Sequence, residues 1–401
     1  MTQTSLPTLR LKKNEDRRLR GGHLWVYSNE VDISATPLKE LPAGGEVVIE
    51  DHRGKPIGRG YGNPHSLICA RLYSRDVKQA LSKTFLKKRI EQAVSLREKL
   101  FPGACYRAVF GEADGLPGLV IDRYRDVFVI QTGTAGMENV LPLIADALNS
   151  LYQPDAIIAR NESSIREMEG LETYTRALHG DMPVTLALEE NGIGYTAPLG
   201  DGQKTGWFYD HRAARRRIMP LAREARVLDV FSYCGAWGVL AAAHGAADVT
   251  CVDSSASALG FVHLNAEANG VAGRVRSIEA DAQTAMKELA ANAERFDLVI
   301  IDPPAFIKRK KDFRNGLAGY HAINELAMRL VSPGGVLVSA SCSMHLGRDQ
   351  LLDVVRASGR HIDRHVQVFA SEGQAEDHPI HPSIPETAYL KTWFARVLPS
   401  L

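Results

Sequence analysis

From residue 227 onward the hydrophobic pattern consists of short, nearly continuous apolar runs separated by longer amphipathic stretches, which predicts parallel strands alternating with helices. The runs lie at 227–231, 247–253, 275–281, 296–302 and 335–341. Two further runs at 365–369 and 390–397 are predicted to finish the sheet as an antiparallel hairpin. Nearer the N-terminus the runs are shorter. Those at 24–27 and 45–50 are set off by turn signals at Gly21-Gly22, Gly44-Gly45 and Arg53-Gly54-Lys55, which predicts a small β-rich barrel. Between 77 and 100, Leu81, Phe85, Leu86, Ala93, Leu96 and Leu100 share one broad face of a charged amphipathic helix. Strands near 106–110, 119–122 and 127–131 and a helix near 140–151 follow, with explicit turns at Asp114-Gly115 and Pro117-Gly118. The chain is therefore predicted to be α/β in class, with a β-rich domain over 1–77, a linker helix and central α+β domain over 78–191, and a doubly wound domain over 192–401.

In a doubly wound sheet, ligands sit at the carboxyl ends of the strands, and those ends carry the chemistry here. The first run contains Asp229 and turns through Phe231-Ser232-Tyr233-Cys234-Gly235, where Gly235 lets the backbone pass close to a ligand. A full G-x-G-x-x-G cradle for a pyrophosphate is missing, which favours a ligand with nucleoside and amino acid groups over a dinucleotide. The second run ends in Asp253, suited to two ribose hydroxyls, and the third in Asp281, suited to the exocyclic amine of adenine. Each acid taken singly reads equally well as a helix cap. In series they point to an S-adenosylmethionine pocket. Upstream, the polar and aromatic stretch 202–212 reads as a lid whose Lys204 and Arg212 suit a carboxylate or phosphate.

The fourth run ends in Asp302-Pro303-Pro304-Ala305-Phe306, a rigid, carbonyl-rich turn that suits holding a flat base by its polar edge, with Phe306 available to stack. Such a turn also serves methylation of exocyclic amines, and the fifth run separates the two options. It ends in Ser341-Cys342-Ser343, and serines on both sides argue against a cysteine buried merely as a small hydrophobe. A thiol is needed when the target is C5 of a pyrimidine, because addition at C6 makes C5 nucleophilic enough to take a methyl group. Cys342 is thus the candidate nucleophile and Asp302 the group that binds N3 and the amine of cytosine. Cys234 lies in the same region, where the methyl donor is expected to cover it. His345 brings no oxyanion motif for a Cys-His hydrolase, and Pro379 and Pro382 make His378 and His381 read as a turn, so no metal is expected.

Composition narrows the setting. The 401 residues are 45% hydrophobic and 24% charged, which is globular and long enough for two or three cores. No run approaches the apolar length of a membrane helix and no leader pattern is present, so a cytoplasmic protein without membrane partners is expected. Five widely spaced cysteines without C-x-x-C pairs exclude a disulfide framework and a zinc site. The net charge of +1 hides three basic clusters, at 10–20, 212–217 and 308–314. The last two flank the proposed chemistry, which makes the arginines of 212–217 and Lys308 with its neighbours candidates for phosphate contacts with a nucleic acid.

Several segments together resemble the bacterial 23S ribosomal RNA cytosine-C5 methyltransferase family over essentially the whole chain. They are His23-Leu24-Trp25-Val26-Tyr27-Ser28, Gly111-Glu112-Ala113-Asp114-Gly115-Leu116-Pro117-Gly118, Gln203-Lys204-Thr205-Gly206 with Asp210 and Arg212, Phe231-Ser232-Tyr233, Asp302-Pro303-Pro304, Ser341-Cys342-Ser343 and Asp377-His378-Pro379. The resemblance implies an N-terminal PUA-like barrel, a central α+β domain and a class I, Rossmann-like methyltransferase domain. It implies S-adenosylmethionine as cofactor and RNA as partner. It also implies Cys342 as nucleophile and Asp302 as base-binding acid. Lys204, Thr205, Asp210, Arg212, Asp229, Phe231, Ser232, Gly235, Asp253 and Asp281 are then expected around the donor, with Pro303, Pro304, Phe306 and Lys308 around the base. Pro304 stands where some cytosine methyltransferases carry a second cysteine, so no second thiol assists release there. The competing readings are an exocyclic-amine RNA or DNA methyltransferase and a non-catalytic ribosome-assembly factor. The oligomeric state is left open, a homodimer included.

Overall fold

The computed structural model describes residues 6–200 and 205–400. They form two compact units, one from positions within 1–184, 203–207 and 377–387, the other from 185–202, 208–376 and 388–401. In the first unit, a five-stranded sheet runs in the order Thr8–Arg10, Glu46–Glu50, Pro56–Gly62, Ala70–Ser74, Trp25–Val26. Alternate residues point inward, and Leu9, Val26, Val47, Ile49 and Leu72 build its core. A second five-stranded sheet, Cys105–Phe110, Leu119–Tyr124, Val127–Thr132, Ala156–Asn161 and Tyr174–His179 in order across the sheet, packs with helices Lys83–Leu100 and Leu141–Tyr152. The first of these helices begins six residues later than its apolar pattern suggests. Ser82 caps it by accepting from Phe85 N, and the residues before it are drawn out of helical geometry because Leu81 N donates to Glu46 and Tyr73 donates to the Gln79 carbonyl.

The 377–387 segment is clamped inside this first unit. The buried Asp377 accepts from Arg107 N at 3.0 Å and pairs with His378 Nδ1 at 2.8 Å, while its carbonyl accepts from Arg97 Nη2 at 2.8 Å. That turn therefore has a packing role.

The second unit is built on a seven-stranded sheet: β1 Arg226–Val230, β2 Asp248–Asp253, β3 Val275–Glu279, β4 Phe296–Ile301, β5 Val331–Ser341, β6 Arg364–Glu372 and β7 Lys391–Pro399. The order is β3-β2-β1-β4-β5-β7-β6, parallel from β3 through β5, with β7 antiparallel to both neighbours. Strands β1, β2 and β4 and the second half of β5 are buried almost throughout, as their largely apolar runs require. The order reverses between β1 and β4, and that switch point is where a doubly wound sheet opens a crevice at its carboxyl edge. The helices are α1 Arg212–Ala222, α2 Gly238–Ala243, α3 Ala256–Ala268, α4 Ala282–Ala291, α5 Phe313–Leu330 and α6 Arg348–His361. The final two strands pair antiparallel as expected, with β6 on the outer edge. Among the described residues, no helix is long and apolar enough to cross a membrane.

Candidate active site

The turn after β1 is wound tightly. Phe231, Tyr233 and Gly235 have φ of 67°, 48° and 80°, a region that costs a non-glycine residue about 1–3 kcal/mol and persists only when its surroundings impose it. Here the end of β2 imposes it: Phe231 N and Ser232 N both donate to the Val252 carbonyl, at 2.9 and 3.0 Å, and Tyr233 N donates to Asp253 Oδ2 at 2.9 Å. Below the turn, the fully buried Asp229 accepts from Gly238 N at 2.9 Å, and its Oδ1 has no partner among the described residues. Burial lifts this carboxyl to about 7, with the nearby charges of Asp302 and Asp253 adding to the rise and the Gly238 N–H opposing it. Asp229 thus lies beneath the carboxyl edge, buttressing α2. A Cβ on Gly238 would come within 2.5 Å of Cys251 Sγ and 3.2 Å of that carboxylate, so the close packing of helix on strand requires glycine. Cys234 is fully buried, its thiol pushed up to about 12 by that burial.

Asp253 is partly exposed, with Oδ1 accepting from Ser255 N at 3.0 Å. Asp281 stands two residues beyond β3 and caps α4, accepting from Gln283 N and Thr284 N, both through Oδ1; Oδ2 is turned away from the cap. Both readings of a strand-end acid meet in this residue. The Ser232 hydroxyl is buried and has no partner among the described residues.

At the end of β4, Asp302 is gripped from two sides. His211 Nε2 lies 3.1 Å from Oδ1, and Trp237 Nε1 donates to Oδ2 at 3.2 Å. The two rings thus fix the position of the carboxylate from either side. Pro303 is buried and Pro304 exposed, while the Phe306 ring packs against Tyr320 with centroids 4.9 Å apart. Lys308, Lys310, Lys311 and Arg314 follow, all exposed.

Cys342 is half-buried at the end of β5, beside β4 in the sheet. Its flanks are pinned by a buried hydroxyl triangle: Ser341 Oγ donates to Tyr320 Oη at 2.8 Å, Tyr320 Oη and Ser343 Oγ are 2.9 Å apart, and Ser343 N donates to Ser341 Oγ at 3.2 Å. Ile307 N also donates to Ser343 Oγ at 3.1 Å. That bond ties the Cys342 turn to the Asp302 turn, so the thiol and the carboxylate are carried on one fixed frame. Lys391 on β7 reaches the same turn, donating to the Ser343 carbonyl.

Other candidates lie elsewhere. Thr205 belongs to the first unit, where it is fully buried and donates to Asp122 Oδ2 at 2.5 Å. Asp210 is buried and accepts from Tyr389 Oη at 2.5 Å. Arg212 is buried against Glu190, at 3.7 Å, with its guanidinium over the Tyr209 ring. Arg215 pairs with Glu190 through two bonds of 2.5 and 2.9 Å, so half of the 212–217 cluster faces inward, and that expectation of phosphate contacts is corrected for Arg215. Lys204 lies outside the described residues. His211, Trp237, Tyr320 and Lys391 were not singled out by sequence. None leaves a distinguishing trace there, since Lys391 opens a strand that also carries Thr392 and Arg396. Among the described residues, no group of three or more His, Cys, Asp or Glu side chains is placed to hold a metal ion.

Comparison with known proteins fits this geometry. Residues 9–75 match a PUA-like domain model, and residues 170–395 match a model of S-adenosylmethionine-dependent methyltransferases. Over 393 residues the chain is 36% identical to the ribosomal RNA large subunit methyltransferase I of Aliivibrio fischeri strain MJ11, covering 97% of this chain and 98% of that one. The protein of the same name from Klebsiella pneumoniae strain 342 is 34% identical over 403 residues, 99% and 100% of the two chains. Among solved structures, a methyltransferase complexed with SAH superposes with a TM-score of 0.83 at 20% identity, covering 98% of this chain and 100% of that one. An S-adenosylmethionine-dependent methyltransferase from Streptococcus mutans gives 0.82 at 20% identity with the same coverage. At that identity the likeness is one of fold.

Proposed function

This chain belongs to the S-adenosylmethionine-dependent methyltransferase family, together with the proteins named ribosomal RNA large subunit methyltransferase I, and on that premise we propose that it methylates C5 of a cytosine in 23S ribosomal RNA through a covalent adduct at Cys342. The observation that carries this reading is the tie between two turns: a half-buried thiol and a doubly held carboxylate sit at the ends of adjacent strands, locked together through Ser343 and Ile307.

The residues around the β1 turn fit the cofactor. Ser232 has a buried hydroxyl without a partner among the described residues, Asp281 has an oxygen clear of its cap, and Gly235 presents no side chain in the tight turn. In this reading Asp253 holds the ribose, Asp281 the adenine amine, and the turn from Phe231 to Gly235 the amino acid end. Bound S-adenosylmethionine supplies an electrophilic methyl group on a sulfonium centre.

The chain's own groups prepare the acceptor. The Cys342 thiolate adds to C6 of the cytosine, forming an S–C6 bond and moving the C5–C6 π pair towards C5, which becomes the nucleophile. Asp302 binds the 4-amino group and N3 and carries a proton to N3 as the ring gains electron density, a proton it takes back when the ring is restored. After transfer, loss of the C5 proton returns that pair to the ring and expels the thiolate. Pro304 offers no second thiol for release, so the departure of Cys342 rests on loss of that proton. The PUA-like domain and the exposed Lys308, Lys310, Lys311 and Arg314 supply the RNA contacts, the cations through phosphates and so without sequence preference.

The test is nucleoside analysis of ribosomal RNA methylated with labelled S-adenosylmethionine by wild type and Cys342→Ala. Label in 5-methylcytidine that is lost in the variant supports the proposal. Label in a methylated exocyclic amine that persists in Cys342→Ala overturns it and leaves the amine reading of the Asp302-Pro303-Pro304 turn.

A further inference from the structure

We propose that Lys391 is the counter-ion of the Cys342 thiolate, a positioning residue that keeps the nucleophile ionised and fixes the backbone beside it. The inference rests on the reading of Cys342 as nucleophile. In the antiparallel β5–β7 pair, Lys391 stands directly opposite Ser341, the residue before Cys342. Its ammonium donates to the carbonyls of Ser343, at 2.5 Å, and Tyr389, at 2.9 Å, and so reaches across the turn that carries Cys342.

Lys391 is 6% exposed, and among the described residues it makes no ion pair with any carboxylate. A buried cation without an anion is costly, and the two carbonyls neutralise none of its charge. Burial accordingly pulls the lysine down to about 8, and the charged group that opposes this shift is Cys342. The other titratable groups facing the turn do not serve as its anion. Tyr320, on α5, is raised by burial and stays neutral, and the Tyr389 hydroxyl is directed to Asp210. With Lys391 already an ammonium near neutrality, release of the thiol proton to solvent gives a thiolate and an ammonium side by side. Each stabilises the charge of the other, which is how a buried thiol comes to be ionised near neutrality.

The experiment is the pH dependence of Cys342 alkylation by iodoacetamide, read by peptide mass spectrometry in wild type, Lys391→Met and Lys391→Arg, with Cys342→Ser as the blank. The wild-type midpoint is expected below the value of about 8.5 of a free thiol. Lys391→Met is expected to raise it by about one unit or more, a roughly tenfold slower reaction at pH 7, while Lys391→Arg restores most of the rate. A wild-type midpoint at or above that of a free thiol overturns the pairing, and so does a folded Lys391→Met with the wild-type profile. Should Lys391→Met fail to fold, the wild-type midpoint and Lys391→Arg decide. Because alkylation needs no RNA, a failure here is distinct from a failure of the nucleophile reading, which would show as methyl transfer surviving in Cys342→Ala.

Discussion

Replacing Asp229 by Asn tests the electrostatics of the site at its most buried point. Asp229 sits on β1 between Cys251 of β2 and Ile300 of β4, with no solvent contact and one oxygen unpaired. Its carboxyl is raised to about 7, against about 3.9 in an unfolded chain. Between those values the folded protein keeps a proton that the unfolded chain has released, so stability falls as pH rises. The contribution is fully present below the unfolded value and is lost as pH rises through 7. Integrated from pH 5 to pH 8, the loss is roughly 2–3 kcal/mol. Asn keeps the shape and an acceptor for Gly238 N but does not ionise. Urea unfolding of this unit, followed by the fluorescence of Trp237 and Trp393, should therefore give a stability difference, wild type minus Asp229→Asn, that shrinks by that amount over the interval. Parallel pH profiles for the two proteins would refute the reasoning.

Three further outcomes follow from the geometry. Asp281→Asn keeps the cap on α4 but removes the charge, and calorimetric titration should show S-adenosylmethionine binding about 5–10-fold more weakly, whereas Asp281→Ala should cost about 1 kcal/mol of stability in addition. His211→Ala leaves Asp302 with Trp237 alone and should lower kcat about 10–100-fold in methyl-transfer assays, with cofactor affinity unchanged, since a hydrogen bond to a charged group contributes about 1.5–3 kcal/mol. Gly136→Ala would place a Cβ 2.2 Å from the Tyr61 ring, whose hydroxyl donates to the Pro117 carbonyl, and should lower the Tm of the first unit through about 1–3 kcal/mol of overpacking while leaving cofactor affinity alone.

The sheet was legible because its signal is local. The runs at β1, β2, β4 and the second half of β5 are largely apolar, and Asp253, Asp281 and Asp302 stand at or just past the ends of β2, β3 and β4. The element ends were less legible. Asp302 lies just past β4, and Asp281 lies two residues past β3 in the Ncap position, because side-chain bonds rather than hydrophobicity set where a strand stops. Least legible were the partners. Nothing local to Asp302 announces Trp237, 65 residues away, and the commitment of Thr205 to Asp122 spans 83 residues. The basic run at 212–217 shows the same limit. Its sequence reads as surface charge, yet Glu190 draws Arg212 and Arg215 into the interior, because a buried acid must be paired.

The central claim is a bond between Cys342 and C6 of cytosine, and trapping that bond is its most direct test. In RNA containing 5-fluorocytidine the C5 proton is replaced by fluorine, so the step that expels the thiolate is blocked and the adduct persists. With S-adenosylmethionine present, wild type should form a denaturant-stable complex with the RNA, peptide mapping should place the nucleotide on Cys342, and Cys342→Ala should form none. A protein that methylates unmodified ribosomal RNA yet forms no such complex, or is attached at another residue, would contradict the account.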